Sequence, residues 1–480
     1  MCSKWFRATA CVGLFALAAC PTRDISQLSV SPAIEIKKEI PVSTNRNVDI
    51  LFVIDNSTSM ADKQNAVASN FTRFIDVLNA IPGGLPNVHI GVVSSDVGVG
   101  IDANGVEQCT AIGDHGLLQN TPRSSCMTMN NNARYIEDIG LPNGTRQRNY
   151  PTTGLPAGTT DPLSAVFSCV ARLGTSGCGF ENHLESMKEA LDGMNAENAG
   201  FLRNDAYLAV VILGDEDDCS ARDQQVFDPR NELDNINSTY GVLSSFRCTE
   251  FGVQCDGGSI LRAAKDYQTC VPRGDSYLWH PQHYFDYLRS LKSDPNLLIG
   301  AVIAGNTTPF GVTIDDRGAP QLKHSCNNTA VGAGDPAIRL KYFVDQFGSH
   351  GTFVSICNQH YDDALAEIGQ LLAKVIGTPC LEGAVDTTDI DPTQPGLQMD
   401  CQVSDVKFPN TANSTETVLP RCAMTDANTP VTTKVPCWWT KVDAATCTST
   451  LSETHVALHV ERGGADAPIG TYVVAKCVSD

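Results

Sequence analysis

Four short runs of apolar, largely β-branched residues constrain this chain more than anything else in it: 48–55 (VDILFVID), 88–94 (VHIGVVS), 206–213 (AYLAVVIL) and 297–304 (LLIGAVIA). Each is too short to cross a membrane and lacks the in–out alternation of a strand with one wet face. Each therefore reads as a strand buried on both faces. Between the runs the period changes. Val67, Phe71, Phe74, Ile75 and Leu78 share one face of a helix over 61–81, and helical spacing recurs at 184–194, 280–292, 338–347 and 362–376, with a short strand at 352–356. Buried strands alternating with helices predict an α/β fold: a doubly wound, mostly parallel sheet with helices on both sides. Its functional groups should gather at the carboxyl ends of the strands.

The chain has 480 residues, more than one ordinary core holds. Long polar, Gly-rich and Cys-bearing insertions interrupt the sheet pattern at about 98–162, 219–277 and 306–336, so the first body should run over 47–377. After Ile376 the helical period is lost and short alternating stretches follow at 402–408, 432–442, 455–461 and 471–478. Residues 378–480 thus read as a small Cys-rich β module.

Cysteine usage sets the compartment. Nineteen cysteines are spread over the chain with no CxxC pair, which argues against zinc ribbons and thioredoxin-like sites and for disulfides formed outside a reducing cytosol. Ten lie between residues 109 and 357 and six between 380 and 477, so both bodies can close internally. Cys109 with Cys126, Cys169 with Cys178 and Cys326 with Cys357 are plausible pairs. Cys219, Cys248, Cys255 and Cys270 would pair among themselves. The net charge of −20 and the lack of a basic run disfavour a grip on nucleic acid.

The start of the chain, MCSKWFRATACVGLFALAAC, has a positive head, an apolar middle and a small-residue end. That is the shape of an export signal over 1–20. Leu17-Ala18-Ala19-Cys20 resembles the lipobox of bacterial lipoproteins, a resemblance that implies lipidation of Cys20 and anchoring in the cell envelope. Pro21, rather than Asp, after the cysteine fits export to the outer membrane. Residues 21–46 are polar without a clear period and read as a tether.

Asp55-Asn56-Ser57-Thr58-Ser59 fits D-x-S-x-S at the end of a buried strand and before an amphipathic helix. Asp215, in VILGDEDDC, ends a later buried strand. Together these resemble the metal-ion-dependent adhesion site of von Willebrand factor type A domains, over about residues 47–377, and the wider pattern is similar to a group of bacterial lipoproteins carrying such domains. The resemblance implies Mg²⁺ held by the Ser57 and Ser59 hydroxyls, with Asp55 and Asp215 holding its waters and one position open for a partner's carboxylate. Mg²⁺ wants six oxygens in a strict octahedron, which suits that donor set. A threonine normally completes the site. Here Cys178 falls near its expected place, and Thr175, Ser176 or Glu181 could substitute, a Glu ligand favouring Ca²⁺ or Mn²⁺.

These features lead to an expected membrane-anchored lipoprotein that binds a protein or other macromolecule through a cation-dependent face. It would not be an enzyme: GxSxG, HExxH and phosphate-loop patterns are all absent. One alternative is a structural or assembly lipoprotein with a vestigial site. Another is a hydrolase using Asp55, Asp215 and Asp217. His280 and His283 read as a packed helix start, and one of Trp438 and Trp439 as facing the β-module core.

Overall fold

The computed structural model describes residues 35–40 and 47–478, apart from short stretches that all lie between helices and strands, the longest being 464–470. Strand β1 (Glu35–Ile40) belongs to the C-terminal sheet. The central sheet is built from β2 (Asn47–Ile54), β3 (Asn87–Ser94), β4 (Ile136–Gly140), β5 (Arg146–Arg148), β6 (Tyr207–Leu213), β7 (Leu298–Ala304) and β8 (Gly351–Ser355). Its order is β8-β7-β6-β2-β3-β4-β5. The first five strands are parallel; β4 and β5 extend the β3 edge antiparallel.

The helices are α1 (Ala61–Asn79), α2 (Pro162–Val170), α3 (His183–Leu191), α4 (Phe246–Gly252), α5 (Gln282–Leu291), α6 (Ile338–Asp345) and α7 (Tyr361–Ile376). Successive side chains of a strand leave by opposite faces, and here both faces are roofed. Ile50, Phe52 and Ile54 of β2 pack with Val67, Phe71 and Phe74 of α1, Phe167 of α2 and Leu365 and Ile368 of α7. Leu51 and Val53 pack on the other side with Leu184 and Met187 of α3, Tyr284 and Leu288 of α5 and Leu340 of α6. At about 1.5–3 kcal/mol for each large apolar side chain buried, these two layers fix the register of β2. The expected mixed α/β sheet is present.

Some elements escape the sequence reading. Helix α2 starts at the end of a stretch read as insertion, although Asp161 accepts the Ser164 N–H at 2.7 Å as an N-cap and Pro162 opens the first turn. The disulfides also correct it. Cys109 bridges Cys178 and Cys126 bridges Cys169, so the two pairs expected there exchange partners. Loops fold over the sheet and bring distant cysteines together, so nearness in sequence does not decide. Cys326–Cys357 is as expected, and the middle quartet closes on itself as Cys219–Cys248 and Cys255–Cys270.

The C-terminal module contains β9 (Cys401–Lys407), β10 (Thr415–Leu419), β11 (Cys437–Val442), β12 (Val456–Glu461) and β13 (Thr471–Val478). One antiparallel sheet runs β1-β13-β9-β10, and β11 pairs with β12. Its own core includes Leu381, Met399, Val403, Trp438, Val456 and Val473, and three further disulfides close it. The stretch read as tether thus contains a strand, with Glu35 opposite Val478 and Ile40 opposite Val473. EIKKEI is charged enough to read as solvated chain, but ladder hydrogen bonds come from the backbone and do not depend on side-chain type. Residues 1–34, which include the stretch read as an export signal and Cys20, lie outside the described residues. Among the described residues no helix is long and apolar enough to cross a membrane.

Candidate metal centre

Strands β2 and β6 are neighbours and end level: Ile54 pairs with Leu213, and the Asp55 N–H donates to Leu213 O at 2.9 Å. The chain leaves β2 through α1 to β3 on one side and later returns to β6 on the other. The two acidic turns therefore meet where the winding reverses, the place at which such sheets open a crevice.

Asp55 is fully buried, and its Oδ1 accepts the Ser57 N–H at 2.7 Å. That local bond closes the turn and folds residues 57–59 over the strand end. The hydroxyls of Ser57 and Ser59 then lie 3.2 Å apart, and Ser59 Oγ donates to Asp215 Oδ1 at 3.1 Å. Ligands on adjacent corners of a Mg²⁺ octahedron, each about 2.1 Å from the ion, are about 3 Å apart. The two hydroxyls have the spacing of such a pair.

A third loop docks on this turn. Gln64 of α1 donates from Nε2 to Asp55 O (2.8 Å) and Gly174 O (2.9 Å), and its Oε1 accepts the Gly174 N–H. The Gly177 N–H donates to Asn56 O, and a Cβ at Gly177 would come within 2.1 Å of Asn56 Oδ1, so any larger residue would have to displace the Asn56 amide. The Cys178 sulfur is consumed by Cys109, and Thr175 is half-buried with no hydrogen bond to the cluster among the described residues. Glu181 of this loop is buried, and the charges of Asp55 and Asp215 act on its carboxyl.

The electrostatics of the set are unbalanced. Burial, then the neighbouring Asp215 charge, pushes Asp55 up to about 8 against the hydrogen bonds from Ser57. Burial, then Glu216, Asp55 and Asp215, holds Glu181 well above the usual carboxylate range. Glu216 is pushed up to about 8 by burial, then by Asp335, Asp215 and Asp55. These groups cannot all ionise side by side without a cation. Asp55 Oδ2, Asn56 Oδ1 and Glu181 Oε1 are buried and meet no donor, where a buried acceptor left alone costs about 1–3 kcal/mol. The donors on offer are all oxygen, which is the chemistry of a hard divalent cation: Mg²⁺, Ca²⁺ or Mn²⁺. Among the described residues no group of three or more His, Cys, Asp or Glu side chains is disposed to hold a metal, so such an ion would depend on the serine hydroxyls.

One charged member is absent from the sequence reading. Lys63 of α1, 2% exposed, places Nζ 2.8 Å from Asp215 Oδ2 and donates to Ser59 O at 3.2 Å. Its position offers a signal: Lys63 stands four residues before Val67 and eight before Phe71, on the stripe that α1 buries. A charge there requires a buried partner.

The remaining acids of the GDEDD turn organise structure. Asp217 accepts the backbone N–H groups of Arg339 and Leu340 at the start of α6, and Asp218 accepts the Leu184 N–H, the Ser220 hydroxyl and Arg339 Nη2. His283 stacks on Trp279 and His280 packs edge-on to Tyr342, as a helix start does. Trp438 is buried in the module core, while Trp439 stacks on His459.

No family model matches the chain, and no curated protein matches it in sequence. Two solved structures with some likeness are pilus adhesins. One is SpaC from Lactobacillus rhamnosus GG, at 12% identity and TM-score 0.29, covering 92% of this chain and 40% of that one. The other is RrgA from Streptococcus pneumoniae, at 9% identity and TM-score 0.28, covering 93% and 58%. The chain thus spans less than two thirds of the length of either, and likeness at these TM-scores carries no weight for fold or activity.

Proposed function

We propose that this chain is an envelope lipoprotein, anchored through Cys20, whose α/β body is of the von Willebrand factor type A kind. In this reading it binds a protein or other macromolecule through a divalent cation at the carboxyl end of the sheet. The observation that carries it is the coincidence of a hydroxyl pair at octahedral spacing with three buried oxygen acceptors that lack donors. Ser57 and Ser59 would ligate the ion through neutral oxygens, Asp55 and Asp215 would supply charge, and Glu181 would take the place of the missing threonine. Neutral ligation leaves the ion electron-poor, so a partner's carboxylate can complete its shell. No nucleophile or base is needed, and the hydrolase alternative loses support because Asp217 is fully engaged in holding α6.

Capture of partners from the native envelope, with and without EDTA, tests this reading. A partner held by the wild type should be released by chelator and by Ser57→Ala/Ser59→Ala. Capture that survives both overturns the cation-bridged mechanism and favours an assembly role, the reading to which the Lys63–Asp215 pair lends support.

A further inference from the structure

Lys63 adds to the proposed cation face something that the D-x-S-x-S pattern does not contain. Its ammonium is buried and spans the two segments that the ion would join, touching Asp215 Oδ2 on one and Ser59 O on the other. Asp215 is thereby shared: Oδ1 takes the Ser59 hydroxyl and Oδ2 takes the lysine. The ammonium is also close enough to Asp335 for its charge to act there. The absence of a side chain at Gly332 leaves space beside the ammonium, since a Cβ there would stand 3.3 Å from Nζ. A divalent ion seated between Ser57, Ser59 and Asp55 would face this fixed positive charge a few ångströms away, in surroundings that screen poorly.

We propose that Lys63 is the resident counter-cation of this face and competes with the divalent ion for Asp215. This inference rests on the cation-binding reading above and says how that site is regulated. With no ion, the lysine holds the Ser59 turn and the β6 end together, so the face stays assembled. With an ion, like-charge repulsion and the loss of half the Asp215 carboxylate weaken binding, and Lys63 moves off Asp215. The face would then fill where divalent ions are abundant and stay empty where they are scarce.

Calorimetric titration of Mn²⁺, Mg²⁺ and Ca²⁺ into the full chain and into Lys63→Met tests the competition. The variant should bind at least tenfold more tightly, while Lys63→Arg should stay near the wild type. Lys63→Met binding no more tightly than the wild type overturns the proposal. Should Lys63→Met fail to fold, amine acetylation of the wild type, read by mass spectrometry, decides the matter. Modification of Lys63 should rise several-fold when Mn²⁺ is added, and an unchanged or reduced yield overturns the proposal. Asp55→Ala separates the two readings. If the wild type binds an ion and Asp55→Ala does not, the cation site stands whatever Lys63 does. If Asp55→Ala binds as the wild type does, the cation site itself is wrong.

Discussion

Five residues, Gly214-Asp215-Glu216-Asp217-Asp218, carry four acids in one turn, and what surrounds them differs between its two ends. Asp217 and Asp218 are buried with their acceptors filled by backbone N–H groups, the Ser220 hydroxyl and the Arg339 guanidinium. They tie α3 and α6 to the end of β6. Asp215 is paired too, Oδ1 with the Ser59 hydroxyl and Oδ2 with Lys63, but around it Asp55 Oδ2, Asn56 Oδ1 and Glu181 Oε1 are buried and meet no donor among the described residues. Buried charge that is fully paired is architecture, whereas buried acceptors left without donors point to something still to arrive.

The strongest way to break this contrast is Arg339→Met. It would leave Asp218 buried beside Asp217 without its cation, at a cost of about 3–5 kcal/mol in denaturant unfolding. A loss under about 1 kcal/mol would show that the satisfied pair is not architectural. The next effect is on pH. Asp55 binds its proton more tightly folded than unfolded, so its contribution is favourable below about pH 4 and is lost as pH rises toward about 8. In chelator, Asp55→Asn should remove that loss and gain about 2 kcal/mol at pH 8 relative to the wild type, with little difference at pH 4. The comparison must be wild type against variant, because burial pushes His183 down to about 4 and gives the opposite slope between pH 6.5 and 4. A variant that is less stable at pH 8 would contradict the contrast. The smallest effect is that of Glu181→Gln: stability should change by about 1 kcal/mol or less, while calorimetry should show Ca²⁺ and Mn²⁺ losing their advantage over Mg²⁺. An unchanged ion preference would remove Glu181 from the site.

How much of this was legible follows from what each feature depends on. Strands β2, β3, β6 and β7 are buried on both faces, so their composition alone marks them, and Asp55 and Asp215 follow as the residues at their ends. Ser57 and Ser59 follow from the local turn. The partners of Cys109 and Cys126 depend on the path of loops over the sheet, which residue spacing does not encode. Strand β1 depends on backbone pairing with the far end of the chain. Lys63 was legible only as an anomaly, a cation on the apolar stripe of α1, and its meaning required the neighbouring strand. Glu181 was one of several possibilities in the sequence, and what singles it out, burial of its carboxyl, depends on how the loop packs.

The most direct measurement is anomalous diffraction from crystals of the full chain soaked in Mn²⁺. One strong peak is expected within bonding distance of the Ser57 and Ser59 hydroxyls, on the side of Asp55 Oδ2, with Lys63 Nζ drawn away from Asp215. Absence of a peak there at millimolar Mn²⁺, with Lys63 still seated on Asp215, would contradict it.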